Sequence, residues 1–488
     1  MVDEYDVIVL GGGPAGENAA AYAIAGSTRT AAIVERELVG GECSYWACIP
    51  SKALLRPGHV LAQARAMDGV TASGLDVAPV LRRRDAFVHD HDDTSQVGWA
   101  HDNRIEVIRG TGRLSGPRRV EVDGRELRAR HAVILATGTT AVIPDIAGLR
   151  AALPWISRDA TNLHEVPGRV VVVGGGVVAC EAATWLSALG AEVTMLVRGT
   201  SLLGASEPFA RDAVAAGLVE AGVRVLFETE PVRVDRAEVR DTGEGWIHGG
   251  PVTVAVRRGG SAPDDRASDA DAAEIVADEI LVAAGRRPAT AGLGLDNVGL
   301  PEGYVAVDDQ LTAVGVDGDW LYAVGDVNHR VALTHMGKYQ GRVCGDVIAA
   351  RAEGQPTTGS RYAASADHGQ VPQVVFTEPE VASIGLTEAA ARTAGYAVRT
   401  IEQEIGVAGT SLARNDFRGR AKLVIDTASR TILGATLVGP DMGEQLHAAT
   451  IAVVGRVPLD TLWHAVPAFP AAAEFWLRLL EGLRLPEG

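Results

Sequence analysis

Cys43 and Cys48 are separated by four residues in the segment GGECSYWACIPSKALL. Two thiols at that spacing, at the start of a helix, can close an intramolecular disulfide. Free N–H groups at a helix N-terminus and the nearby cation Lys52 would lower a thiol pKa and favour the reactive thiolate. A structural zinc site would need further ligands. No third Cys and no close His accompanies the pair, so no metal is expected. Two merely buried thiols are the plain alternative. The chain's other cysteines, Cys180 and Cys344, are isolated and read as small core residues.

A glycine turn, GGGPAG, precedes the cysteines and contains Gly11, Gly13, Pro14, Ala15 and Gly16. A short apolar run precedes it and an Ala-rich run follows, so the order is strand, turn, helix. A second apolar run ends at Glu35, 19 residues after Gly16. In such a unit Gly11 permits the tight turn, Gly13 lets backbone amides approach a pyrophosphate, and Gly16 lets helix and strand pack closely. Glu35 can then hydrogen-bond ribose hydroxyls. Arg36 and Gly41 belong to the same candidate dinucleotide site. The grammar repeats at VVVVGGGVVACEAATW, with Gly174, Gly176 and Val177, and with Ala179 in the third position. The next strand ends MLVRG, so Val197 stands where an acid would favour NAD and Arg198 follows. A cation there suits the 2′-phosphate of NADPH; a solvated arginine, with both nucleotides accepted, is the alternative.

These motifs need a scaffold of several domains. At 488 residues the expectation is about three, at roughly 150 residues each. Hydrophobic content of 47% against 22% charged allows several buried cores. A formal charge of −17 disfavours polyanions, and no basic, aromatic-interleaved run suggests nucleic acid. No apolar stretch is long enough to span a membrane, and the acidic N-terminus does not resemble a signal peptide. A cytoplasmic location is expected. The apolar patterning predicts a helix from Ser51 towards Met67, another within Arg82–Asn103, and a small antiparallel sheet over Ile105–Glu126. It also predicts buried strands at Ala132–Ala136, Ile280–Ala284 and Leu321–Val324, and a helix over Thr334–Ala350. An exposed loop at Arg257–Ala273 and a linker at Gly354–Gly369 precede a last region that mixes strands (Lys422–Ile425, Ile432–Val438) with helices (Glu444–Val454, Ala472–Leu483).

The chain resembles the pyridine nucleotide–disulfide oxidoreductases, among them dihydrolipoamide dehydrogenase, glutathione reductase and mercuric reductase. The resemblance runs in order through the first glycine fingerprint, C-x4-C-x-P-S-K, the ATG at Ala136–Gly138, the second fingerprint with Glu181, AGRRP around Gly285, and AVGDV with Asp326. It implies an α/β fold of two doubly wound FAD- and NAD(P)-binding domains plus an α+β dimerisation domain. The expected boundaries are 1–155 and 287–358 for FAD, 156–286 for NAD(P) and 365–488 for a dimerisation domain that completes the partner's site in a homodimer. It further implies that Cys48 is the charge-transfer thiol, Cys43 the interchange thiol, and Lys52 with Glu181 an ion pair beside flavin N5. Asp326 would bind the ribityl chain or a nearby phosphate. His335 would touch the flavin edge or only cap its helix.

One departure concerns function. Disulfide-reducing members of the family carry His-Pro-x-x-x-Glu near the C-terminus, the His as general acid–base and the Glu orienting it. Here the stretch reads HAVPAFPAAAEFW: Phe469 and Pro470 take the His-Pro places and Glu474 keeps its own. Phe469 cannot move a proton. His464, five residues earlier, either replaces the base or is a structural histidine. The expectation is therefore an NAD(P)H-dependent FAD enzyme that delivers electrons to a small-molecule acceptor such as a quinone. A small-disulfide reductase such as dihydrolipoamide dehydrogenase, and a non-enzymatic flavoprotein redox sensor, are the alternatives.

Overall fold

The computed structural model describes residues 3–259 and 273–484; most of the segment expected as an exposed loop at Arg257–Ala273 lies outside them. The chain forms two compact units, one made of Met1–Pro50, Asp85–Ala141 and Gly285–His368, the other of Ser51–Arg84, Val142–Ala284 and Gly369–Gly488.

The first unit is built on the strand Asp3–Leu10, whose Val7, Ile8 and Val9 are fully buried. It runs parallel between Ala31–Glu35 and Arg125–Leu135. Ile105–Arg109 extends the parallel sheet on one side and Leu321–Ala323 on the other. Burial on both faces explains the unbroken Val/Ile runs. The antiparallel sheet expected over Ile105–Glu126 is therefore only partly present. Ile105–Arg109 is a parallel strand, because Ile105 and Ile108 are buried in cores on opposite faces. Gly112–Gly116 and Arg119–Val122 do pair antiparallel, against the outer half of Arg125–Leu135.

The helix Pro14–Ile24, which follows the first glycine turn, packs against Thr334–Ala352. The contact is backbone-close: a Cβ on Gly341 would sit 2.5 Å from the Ala15 carbonyl oxygen. Glycine is needed at that crossing because any side chain would force the helices apart.

In the second unit four parallel strands run in the order Arg224–Phe227, Glu192–Val197, Arg169–Val173, Glu279–Val282. A three-stranded antiparallel sheet and a five-stranded antiparallel sheet complete the described strands of this unit. The five-stranded sheet comes from the C-terminal region and buries one face under Met442–Val454 and Phe475–Glu481. Lys422 on its strand Arg420–Asp426 pairs with Glu207, at the start of the helix Pro208–Glu220, at 3.1 Å and with Glu388 at 2.5 Å.

Three helix boundaries differ from expectation. The helix after the cysteines begins at Cys48 and ends at Arg65. The polar stretch Arg82–Asn103 holds the expected helix, Thr94–Asp102, and also the last residues of another, Val77–Phe87. The last helix is shorter, Phe475–Glu481, with 3-10 turns on either side.

Glu380 lies in the C-terminal sheet and accepts the Gly443 N–H at 2.8 Å. Burial, with Asp441, Glu378 and Glu444 adding repulsion against that hydrogen bond, pushes its carboxyl from 4.5 up to about 7. Its folded pKa exceeds its unfolded one, so its stabilising contribution is complete below pH 4.5 and lost as pH rises through 7. That loss is about 3 kcal/mol. Denaturant melts at low and high pH check this: Glu380→Gln should match the parent near pH 4.5 and exceed its stability above pH 7 by about that amount.

Candidate active site

Gly11 has φ +108°, and a Cβ on it would collide with the Ala136 carbonyl oxygen at the end of the neighbouring strand. Gly13 is the N-cap of the helix Pro14–Ile24, has no side-chain capping bond, and faces open space where a Cβ would be. The uncapped N–H groups above an open glycine form a cradle for a pyrophosphate. The carboxylate of Glu35 accepts the Gly12 and Glu37 N–H groups, each at 2.7 Å. The acid assigned to ribose by its spacing thus also holds the turn in shape. Arg36 is exposed beside it.

Asp326 accepts the Thr139 hydroxyl at 2.9 Å. Arg286 donates to that hydroxyl at 2.6 Å and to the Thr139 carbonyl at 2.7 Å, and approaches Glu42 at 3.4 Å. Gly138 and Gly285, both at positive φ, shape the two backbone turns beside this network. Thr139 and Arg286 were not singled out by the sequence. Their only signal was that they flank or fall inside the ATG and AGRRP motifs. The open cradle, the free helix N–H groups and the Asp326 carboxylate fit FAD. His335 is exposed in the second position of its helix.

Gly41 opens a five-residue helix, Gly41–Tyr45, that contains Cys43. A Cβ on Gly41 would lie 2.9 Å from Gly13 Cα, so the thiol segment sits directly on the glycine turn. Cys48 opens the long helix Cys48–Arg65. Neither thiol is in a disulfide in this structure, and both are partly buried. Cys48 Sγ lies 3.2 Å from the Thr334 hydroxyl. The Cys43 thiol is pushed up, first by its hydrogen bond with Cys48, then by burial and the charge of Cys48. A hydrogen bond from Thr334 and the charge of Lys338 oppose this. At Cys43 the neighbouring sulfur and desolvation outweigh the charge of Lys338.

In the second unit Gly174, at φ +136°, repeats the role of Gly11, with the Ala283 carbonyl oxygen in place of that of Ala136. Gly176 is the uncapped N-cap of Val177–Ala188 and faces open space, which fits the pyrophosphate of a second dinucleotide. Val197 is buried at the strand end and Arg198 is exposed. Lys52 Nζ pairs with Glu181 at 2.7 Å. Glu181, only 4% exposed, also accepts the Phe376 N–H at 3.0 Å, and Lys52 Nζ stands 4.7 Å from the Phe376 ring centroid. Phe376, from the loop after a C-terminal strand, carried no sequence signal. Burial, then the charge of Glu181, pushes the Cys180 thiol up to about 12. Burial also raises that of Cys344. Neither is suited to redox work.

Towards the C-terminus Phe469 is 75% exposed. Glu474 Oε2 is buried and has no hydrogen-bond partner among the described residues. His464 is exposed, just beyond the short helix Leu459–Leu462.

Residues 5–341 match the family model for pyridine nucleotide-disulphide oxidoreductases, and residues 371–479 match the dimerisation domain of that family. The chain belongs to this family. Among its relatives are a dihydrolipoyl dehydrogenase of Chlamydia trachomatis, 29% identical over 98% of this chain and 96% of the other, and one of Thermus scotoductus, 31% identical over 98% and 97%. A mercuric reductase of Bacillus cereus is 29% identical over 99% of this chain and 71% of the other. The HOCl-induced flavoprotein disulfide reductase RclA of Escherichia coli, solved as a Cu(II) complex, has the same fold, with a TM-score of 0.80 at 23% identity over 98% and 99% of the chains. This flavoprotein is thus an NAD(P)H-dependent oxidoreductase with FAD and NAD(P)H as cofactors and a family dimerisation domain. No described helix is long and apolar enough to cross a membrane.

Removing Lys52 leaves the buried Glu181 carboxylate without its cation. Such a loss costs about 3 kcal/mol or more, whereas apolar replacement of both partners costs far less. Denaturant melts should therefore show Lys52→Met clearly less stable than Lys52→Met/Glu181→Leu; equal stabilities would contradict the pairing.

Proposed function

We propose that this flavoprotein oxidises NAD(P)H and passes the electrons through FAD and the Cys43–Cys48 pair to an acceptor that is not a thiol, a quinone being the fitting class. The observation that carries this reading is Phe469 in the place of the family's histidine, with the Glu474 carboxylate left without a partner among the described residues. Reduction of a disulfide substrate requires a proton for the leaving thiolate, and loss of that help costs a factor of about 10² to 10⁴. A quinone has no leaving thiolate, and a flat acceptor can stack on an aromatic ring.

FAD, when bound, would supply the chemistry that takes hydride from NAD(P)H and passes its electrons on. The chain's own residues bind and orient. Gly11, Gly13, Gly16 and the helix N–H groups they expose hold the FAD pyrophosphate, Glu35 its ribose and Asp326 its ribityl chain. Gly174, Gly176 and Val177 hold NAD(P)H, with Arg198 favouring the 2′-phosphate of NADPH. Lys52, oriented by Glu181, supplies a fixed positive charge where hydride arrives. Cys48 is the thiol facing the flavin and Cys43 the outer one. Domain boundaries at 1–155, 156–286, 287–358 and 365–488, a homodimer and a cytoplasmic location complete the reading.

The test is a steady-state acceptor panel with NADPH and NADH: quinones, lipoamide, glutathione disulfide and, given the Escherichia coli relative, Cu(II). Quinone turnover should dominate. Phe469→His should raise disulfide turnover by about 10²-fold while leaving quinone turnover within about twofold. Efficient lipoamide or glutathione disulfide turnover by the parent, with only trace quinone activity, makes it a small-disulfide reductase instead. His464 is then the base to examine.

A further inference from the structure

Phe376 has no task in the chemistry above, yet it touches both members of the Lys52–Glu181 pair. Its backbone N–H donates to one oxygen of Glu181 at 3.0 Å, while Lys52 Nζ donates to the other at 2.7 Å. Its ring lies beneath the same ammonium, with 4.7 Å from centroid to Nζ. One residue therefore meets the anion with its backbone and the cation with its side chain. All three residues belong to the second compact unit. Glu181 stands buried on the helix Val177–Ala188 and needs little further holding. Lys52 differs. Its side chain is 36% exposed, and a further hydrogen bond goes to the neighbouring Ser51 hydroxyl at 3.4 Å. A lysine ammonium is a point charge on a flexible four-carbon stem. A carboxylate oxygen fixes its distance but not its direction. An aromatic face within about 6 Å attracts a cation through the ring quadrupole and supplies the second constraint.

The turn that carries Phe376 is itself braced. It joins the strands Pro372–Val375 and Glu380–Gly385. Thr377 is fully buried and donates its hydroxyl to the Pro379 carbonyl at 2.7 Å. The Glu378 carboxylate accepts from Arg414 at 2.7 Å. The Glu378 carbonyl oxygen lies against the helix Pro208–Glu220, where a Cβ on Gly217 would be 2.1 Å away. Glu380 ties the far side to the Gly443 N–H at 2.8 Å. Phe376 also packs on the buried core of this unit. The ring is thus held from outside the ion pair, and the lysine is the member that adapts to it. Apolar bulk alone would fill the same place; only a ring face holds the ammonium.

We propose that Phe376 is a positioning residue for hydride transfer: its ring fixes the Lys52 ammonium, and its N–H the Glu181 carboxylate, in the arrangement from which the charge acts on the flavin. The idea rests on the reading that Lys52 stands where hydride arrives. Hydride carries two electrons and one proton from the nicotinamide, which becomes cationic, and adds one negative charge to the flavin. A cation already held in place stabilises that charge without reorganising. A lysine free to swing must first be reoriented. An aromatic ring, rather than apolar bulk, is therefore required at position 376.

The test pairs NMR with stopped-flow kinetics on the flavin-loaded protein. The chain has three lysines, Lys52, Lys338 and Lys422, so labelling with ε-¹³C-lysine gives three signals, and Lys52→Met identifies one of them. In the oxidised parent that signal should carry the upfield shift of a group above a ring face. Phe376→Leu keeps the N–H and the apolar character. It should lose the shift and slow flavin reduction by NADPH by about threefold to tenfold, with the NADPH dissociation constant within about twofold of the parent's. Phe376→Tyr should restore both shift and rate. A Lys52 signal that Phe376→Leu leaves unmoved overturns the proposal, and so does a lost shift with parental flavin reduction. Should Phe376→Leu fail to hold flavin, trifluorophenylalanine at position 376 decides, because it keeps the shape and empties the ring face of negative charge. It should slow flavin reduction likewise, and a parental rate overturns the proposal equally. Lys52→Met separates the two readings. Parental flavin reduction in that variant sinks the placement of Lys52 itself, whereas a slowed Lys52→Met beside a parental Phe376→Leu sinks only the role of Phe376.

Discussion

The structure depends on a backbone contact that only glycine allows. Gly11 and Gly174 each turn the chain at positive φ against the carbonyl of an adjacent strand end, Ala136 and Ala283 respectively. Each turn aims the N-terminus of a following helix, with uncapped N–H groups, at the open space above Gly13 or Gly176. A side chain at either turn would separate strand from helix and remove both the packing and the anion site at once. In the first unit the same closeness recurs where Gly41 meets Gly13 and where Gly341 meets Ala15. Thus the thiol segment and the helix carrying Thr334 are both held against the first cradle by contacts that leave no room for a Cβ.

From that constraint follows a division of labour among the polar groups. Lys52 pairs with the buried carboxylate of Glu181, which the Phe376 N–H also orients, so the pair holds a fixed position. The Asp326–Thr139–Arg286–Glu42 chain is likewise linked by hydrogen bonds that hold these groups in position.

The sequence revealed what is local and stereochemically forced. The two glycine fingerprints and the C-x4-C pair were legible because backbone geometry or spacing leaves few alternatives, and the Lys52–Glu181 pair through the family resemblance. The parallel strand Ile105–Arg109 was misread because its flanking Gly and Pro residues suggested hairpins, and only burial on both faces distinguishes it. Thr139, Arg286, Thr334 and Phe376 escaped notice because their partners lie far away in sequence, and their residue types do not signal a site.

The central claim is that electrons from NAD(P)H enter the Cys43–Cys48 pair by way of FAD. Anaerobic titration of the oxidised protein with NADPH, followed through the visible spectrum beside Cys43→Ser, tests it most directly. The account predicts that two electrons produce a long-wave thiolate-to-flavin band in the parent, and that the oxidised variant shows that band before any reductant is added. Flavin bleaching alone at two electrons, the same in parent and variant, would contradict it and leave the cysteines outside the path of electrons.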